Sequence, residues 1–154
     1  MTCCFTGHRS LSHAELKFLV PELKKTIRAL AAEGYTIFRS GGALGFDTIA
    51  ALSVLDLKKE LDIQLEIYIP CRDQDKMWPE KDKKYYRYIL ASADRCYCLS
   101  EYYTTSCMHN RNRKMVDGSD ACIAFCKQNS GGTAYTVIYA LKNNVRLINL
   151  ADNM

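Results

Sequence analysis

The sequence predicts an α/β fold: a single Rossmann-like domain with a mainly parallel sheet and helices on both faces. Three observations predict it. Short apolar, β-branched runs alternate along the chain with longer segments whose apolar residues recur at helical spacing. Nothing between them has the composition of a linker, an internal repeat or a low-complexity segment. Three of the runs end in glycine beside hydroxyl or basic residues, at the edge where such sheets bind their ligands. At 154 residues the chain is the size of one domain with a real core, so residues 1–154 are read as one unit.

The elements follow in order. Thr2–Thr6 is a short apolar run stopped by Gly7, the first strand. Ser12-His13-Ala14-Glu15 has the form of a capping box, and Leu16, Leu19, Val20, Leu23, Ile27, Leu30 and Ala31 then recur at helical spacing. Pro21 inside that pattern is expected to kink or split the helix, and Gly34 closes it. Tyr35–Phe38 reads as the second strand, and a helix from near Gly45 to about Leu61 follows. Ile63–Ile69 alternates and is the third strand; Pro70–Trp78 is a loop. Pro79 suits the first turn of a helix that runs to about Ala91. Asp94–Leu99 is the fourth strand, Ser106–Val116 a helix and Ala121–Cys126 the fifth strand. After the polar glycine loop Gln128–Gly132 come a helix, Thr133–Lys142, and a last strand, Val145–Leu150.

Composition narrows the function classes. No run approaches the roughly 18 apolar residues of a membrane span. Met1–Phe5 lacks the basic flank of a signal peptide, so a cytoplasmic protein without a membrane partner is expected. The eight cysteines form no CxxC pair and no zinc spacing with histidine. They are read as structural thiols with no metal, and Cys71 and Cys107, in a loop and at a helix start, are the only two worth testing for reactivity. The net charge of +4 permits an anionic ligand but is thin for the continuous basic track that a nucleic acid needs, so nucleic acid is not expected as a partner.

The strand ends carry the chemistry. The first is Thr6-Gly7-His8-Arg9, the second Ser40-Gly41-Gly42-Ala43-Leu44-Gly45-Phe46-Asp47, the fifth Asn129-Ser130-Gly131-Gly132-Thr133. One glycine in a strand-to-helix turn is ordinary turn geometry; three such loops on one edge suggest a cradle. Glycines let a ligand approach the backbone, and helix N-termini present N–H groups and partial positive charge, which suits phosphate. Ser130 and Thr133 add hydroxyls, and Arg9 a bidentate charge. His8 is either an anion contact, a general base or a structural hydrogen-bonding residue. Asp47 is stabilised in a first helical turn whatever else it does; its alternative role is to contact a ribose hydroxyl or a base edge. Arg111-Asn112-Arg113-Lys114 is either a solvated face or turns Arg111 and Asn112 into the pocket.

Taken together, "FTGHR" at 5–9, "SGGALGFDTIAA" at 40–51, "IPCRDQDKMWPE" at 69–80, "RNRKMVDGSD" at 111–120 and "GGTAYTVIYA" at 131–140 resemble the YpsA-like family of the SLOG superfamily. That Rossmann-like group also includes the DNA-processing protein DprA and the LOG-type phosphoribohydrolases. The resemblance implies a nucleotide-derived ligand at the strand ends. It implies Gly7, His8 and Arg9 as its first loop, Gly41, Gly42, Gly45 and Asp47 beside Ser40 as its second, Arg111 and Asn112 as a helical contribution, and Gly131, Gly132 and Thr133 as the phosphate-facing loop. A homodimer is the assembly it implies.

One departure bears on catalysis. LOG-type enzymes carry a glutamate after the last glycine loop, whereas Thr133-Ala134-Tyr135-Thr136-Val137 contains no acid. Glycosidic cleavage calls for a carboxylate; Asp47 and Asp117 are the candidates to stand in for it, and neither is expected to. The expected function is therefore binding of a nucleotide or NAD-derived ligand by a sensor or regulatory module. The alternatives are a nucleotide N-glycosidase of phosphoribohydrolase type and single-stranded DNA binding as in DprA.

Overall fold

A computed structural model describes all residues, 1–154. The order is β1 (Thr2–Gly7), α1 (His13–Ala32), β2 (Ile37–Ser40), α2 (Phe46–Leu57), β3 (Gln64–Ile69), α3 (Glu80–Ser92), β4 (Arg95–Cys98), α4 (Cys107–Val116), β5 (Ala121–Phe125), α5 (Gly132–Lys142) and β6 (Arg146–Asn149), with a closing 3-10 turn at Leu150–Asn153. All six strands are parallel, in the order β4-β3-β2-β1-β5-β6. The predicted α/β Rossmann-like fold is the observed one.

Period-two alternation places the two cores. On β1, Cys3 and Phe5 face the helices α1 and α2; on β5, Ala121, Ile123 and Phe125 do the same. Cys4 and Cys122 face the other way and meet Met115 and Val116 of α4 and Ala140 of α5. Parallel strands buried on both faces read as unbroken apolar runs, as β5 does.

The helix after Ser12 is capped as expected: the Ser12 hydroxyl accepts from Glu15 N at 3.1 Å, and Glu15 Oε1 accepts from Ser12 N at 2.8 Å. Pro21 does not split it. Helix α1 is continuous from His13 to Ala32 because Pro21 lies on the exposed face, where water can take the place of the missing N–H at the orphaned carbonyl. β4 is an exposed edge strand. The choice of cysteines to test for reactivity changes accordingly. Cys71 and Cys107 are buried, and burial first of all pushes the Cys71 thiol up to about 11, while Cys96 and Cys98 on the edge strand are the exposed pair. No helix is long and apolar enough to cross a membrane.

Candidate functional site

The strand order reverses direction between β1 and β5. Their C-terminal ends part there, leaving the crevice in which α/β sheets bind ligands. A cavity of ≈ 260 Å³ opens at that point. Gly7, His8 and Arg9 line it from β1, Asp47 from α2, and Arg111 and Asn112 from α4; Gly132 and Thr133 close it from α5. The three glycine loops separated in sequence thus reach one cavity.

Gly45 is what lets them meet. It has φ +78°, and a Cβ there would lie 2.3 Å from Arg9 O and 2.6 Å from His8 O. The next residue, Phe46, donates its N–H to His8 O at 3.1 Å. The β1 loop therefore rests directly on the start of α2, an approach open only to glycine.

Asp47 and Arg111 form the floor. Asp47 is 7% exposed and Arg111 3%. Both point at one spot over Gly41: its absent Cβ would lie 2.4 Å from Arg111 Nη1 and 2.8 Å from Asp47 Oδ2. Arg111 Nη1 donates to Gly41 O at 2.7 Å, to Tyr68 O at 3.2 Å and to Gln74 Oε1 at 3.4 Å. One guanidinium thus ties the ends of β2 and β3 to α4. Burial raises the Asp47 carboxyl above the usual range, and Arg111, the Ala43 N–H and Arg9 oppose it. Burial likewise lowers Arg111, with Asp47 opposing.

The walls offer donors. Arg111 Nε donates to Asn112 Oδ1 at 2.8 Å, which leaves the Asn112 amide NH₂ group for the cavity. His8 Nε2 accepts from Lys127 N at 2.9 Å, so the neutral ring carries its proton on Nδ1. This bond also ties the β1 loop to the loop after β5. Arg9 is exposed, with Nη2 3.4 Å from Met108 Sδ. Helix α5 starts at Gly131 without a side-chain cap, so its first-turn N–H groups have no side-chain partner there.

The remaining sequence candidates lie behind or beside the cavity. Ser40 is fully buried; its hydroxyl donates to Asp47 O at 2.9 Å and accepts from Gly42 N at 3.2 Å. Gly41 and Gly42 form the buried wall with it, and Gly131 borders a neighbouring cavity. Sequence reasoning missed Met108 and His109, which line the cavity, and Gln74, whose Nε2 donates to Gly41 O at 3.2 Å. Met108 could have been found, because it stands three and four residues before Arg111 and Asn112 on one helical face. Gln74 sits in a loop whose sequence carries no such periodicity. Trp78 packs edge-on against Tyr86 of α3, with ring centroids 5.0 Å apart, rather than lining the cavity.

The model of the YspA SLOG family matches residues 3–149. A UPF0398 protein of Oceanobacillus iheyensis is 26% identical over 125 residues, which are 79% of this chain and 68% of that one. A UPF0398 protein of Bacillus thuringiensis is 24% identical over 140 residues, covering 89% and 76%. Among solved structures, DNA processing protein A of Helicobacter pylori, described by its single-stranded DNA binding mode, superposes with a TM-score of 0.68 at 22% identity. DNA processing protein A of Streptococcus pneumoniae superposes at 0.70 and 20%. This chain spans 63% and 48% of those two chains, and they cover 96% and 95% of it. The expectation against nucleic acid is corrected here, since a protein of the same fold is described as binding single-stranded DNA. A net charge summed over the chain is no ground for exclusion, because it conceals local patches such as Lys81 and Lys84 beside Tyr85 and Tyr88 on α3.

Proposed function

The chain belongs to the YspA SLOG family, and from that premise we propose that it binds a phosphorylated, nucleotide-derived ligand at the C-terminal edge of the sheet, as a sensor or regulatory module. One observation carries the reading: loops from β1, β2 and β5 and the polar face of α4 converge on a single cavity at the switch point. Its donors suit the parts of such a ligand. The first turn of α5 and Arg9 suit phosphate oxygens, and Asn112 and Asp47 suit sugar hydroxyls. Asp47 is the one carboxylate on the cavity wall, and an N-glycosidase activity would rest on it alone. Release of free base from AMP that disappears in Asp47→Asn would establish that activity.

Thermal unfolding with a panel of nucleotides, nucleosides and sugar phosphates tests binding. A ligand at 100 times its Kd is expected to add about 2.7 kcal/mol of stability; no shift with any phosphorylated member of the panel overturns the reading. Gly132→Val sharpens the test. Nothing lies within 4 Å of a Cβ at Gly132, so the variant is expected to keep the parent's melting temperature. Its added methyls fill space assigned to the ligand, so the ligand-induced stabilisation is expected to vanish. Binding equal to the parent's removes the α5 loop from the site.

A second reading, single-stranded DNA binding, is favoured by the Helicobacter pylori neighbour and by the surface cavity in which Lys81 and Lys84 flank Tyr85 and Tyr88. Phosphate-contacting lysines beside stacking aromatics are what a single strand needs. Oligonucleotide affinity is expected to fall with salt, and Lys81→Glu with Lys84→Glu to reduce the log–log salt slope by about 1.4. An unchanged slope places any DNA contact elsewhere.

A further inference from the structure

The site does not end at the first cavity. A second one, ≈ 440 Å³, lies against it, and His109 and Gly132 belong to both. Its lining differs in kind. Tyr135 and Ile138 of α5 are 36% and 49% exposed, and the Tyr135 ring meets that of His109 with centroids 4.2 Å apart at 52°. Asn129 and Ser130 supply polar edges. The first cavity has no exposed hydrocarbon ring: Phe5 is completely buried, and its other rings are the imidazoles of His8 and His109. At ≈ 260 Å³ it also falls below the roughly 300–1,000 Å³ of pockets that enclose a drug-sized ligand. Between the cavities runs the bare backbone of Gly131 and Gly132, where an added Cβ would meet nothing within 4 Å.

We propose that this second cavity is a base subsite, and that the ligand is two-lobed: a sugar in the first cavity, a phosphate over Gly131 and Gly132, and beyond it a nucleoside whose base stacks on Tyr135 beside His109. The inference rests on the phosphate-binding reading above and names the ligand class for that same site. A mononucleotide does not fit the description, because its phosphate does not stand between its sugar and its base. A phosphate flanked by sugars on both sides does. Such a group occurs in a diphosphate-linked nucleotide sugar and in a phosphodiester-linked dinucleotide.

The test is calorimetric titration of the full chain and of Tyr135→Ala and Tyr135→Phe. The probes are ribose 5-phosphate, ADP-ribose and the dinucleotide ApA. Base stacking on an aromatic side chain corresponds to roughly 5- to 150-fold in affinity. At least one two-lobed probe is expected to bind the parent tighter than ribose 5-phosphate by that margin. Tyr135→Ala is expected to abolish the margin while leaving ribose 5-phosphate unchanged, and Tyr135→Phe to retain it. Which probe shows the margin distinguishes the diphosphate source from the phosphodiester one. The inference is overturned alone if neither two-lobed probe exceeds ribose 5-phosphate, if the margin survives in Tyr135→Ala, or if that variant weakens all probes equally. If no probe binds the parent, the phosphate-site reading falls and this inference falls with it.

Discussion

Arg111→Ala is expected to destabilise the protein by about 3–5 kcal/mol at neutral pH, read as a fall in the denaturant midpoint. The substitution removes the donor that holds Gly41 O, Tyr68 O and Gln74 Oε1 together. It also leaves Asp47, 7% exposed, without its main compensating positive charge. Breaking one partner of a buried charged constellation costs more than the pair contributes, because the survivor stays desolvated. The pH dependence follows. Burial already raises the Asp47 carboxyl above its unfolded value, and in the variant Arg111 no longer opposes that. A carboxyl whose folded pKa is raised binds more protons folded than unfolded, so stability is regained as pH falls through the folded pKa. The deficit of Arg111→Ala relative to the parent is therefore expected to shrink as pH falls from neutral towards the ordinary carboxylate range. A loss under about 1 kcal/mol, typical of an exposed pair, would show that the guanidinium does not organise the floor of the site.

Gly45→Ala is expected to be comparably severe, at about 3–5 kcal/mol. Alanine at φ +78° is strained wherever it stands. Here its Cβ would also fall 2.3 Å from Arg9 O and 2.6 Å from Arg9 C, backbone atoms that have no rotamer to escape into. The strand-end loop would have to lift off α2, separating His8 and Arg9 from Asp47 and taking the cavity apart. Ligand-induced stabilisation is expected to be lost with the folding energy. The contrast with Gly132→Val is the diagnostic part: one glycine is required by the fold, the other faces open space. Equal melting temperatures for Gly45→Ala and the parent would contradict the contact between the β1 loop and α2.

Much of this was legible in the chain itself. Element type follows from period and punctuation, which are local. The capping box at Ser12 and Glu15, the alternation in Ile63–Ile69 and the glycines at three strand ends each announce themselves within a few residues. The membership of Gly7, Arg9 and Thr133 in one cavity follows from those loops once the sheet is parallel, because parallel strands bring their C-terminal ends to one edge.

What tertiary structure alone decided is which side of each loop faces the cavity, and what stands behind it. Ser40, Gly41 and Gly42 belong to the same β2-to-α2 stretch as Asp47, yet they build the cavity's back wall. Arg111 and Lys114 share a helical spacing, yet one is buried and the other exposed, because only the former lies over Gly41. Pro21 passes without splitting α1 because it faces water, and Cys71 is quenched because its loop folds inward. Local sequence carries periodicity and backbone permission. Burial, charge pairing and the order of strands depend on contacts between residues dozens of positions apart, and those exist only once the sheet has assembled.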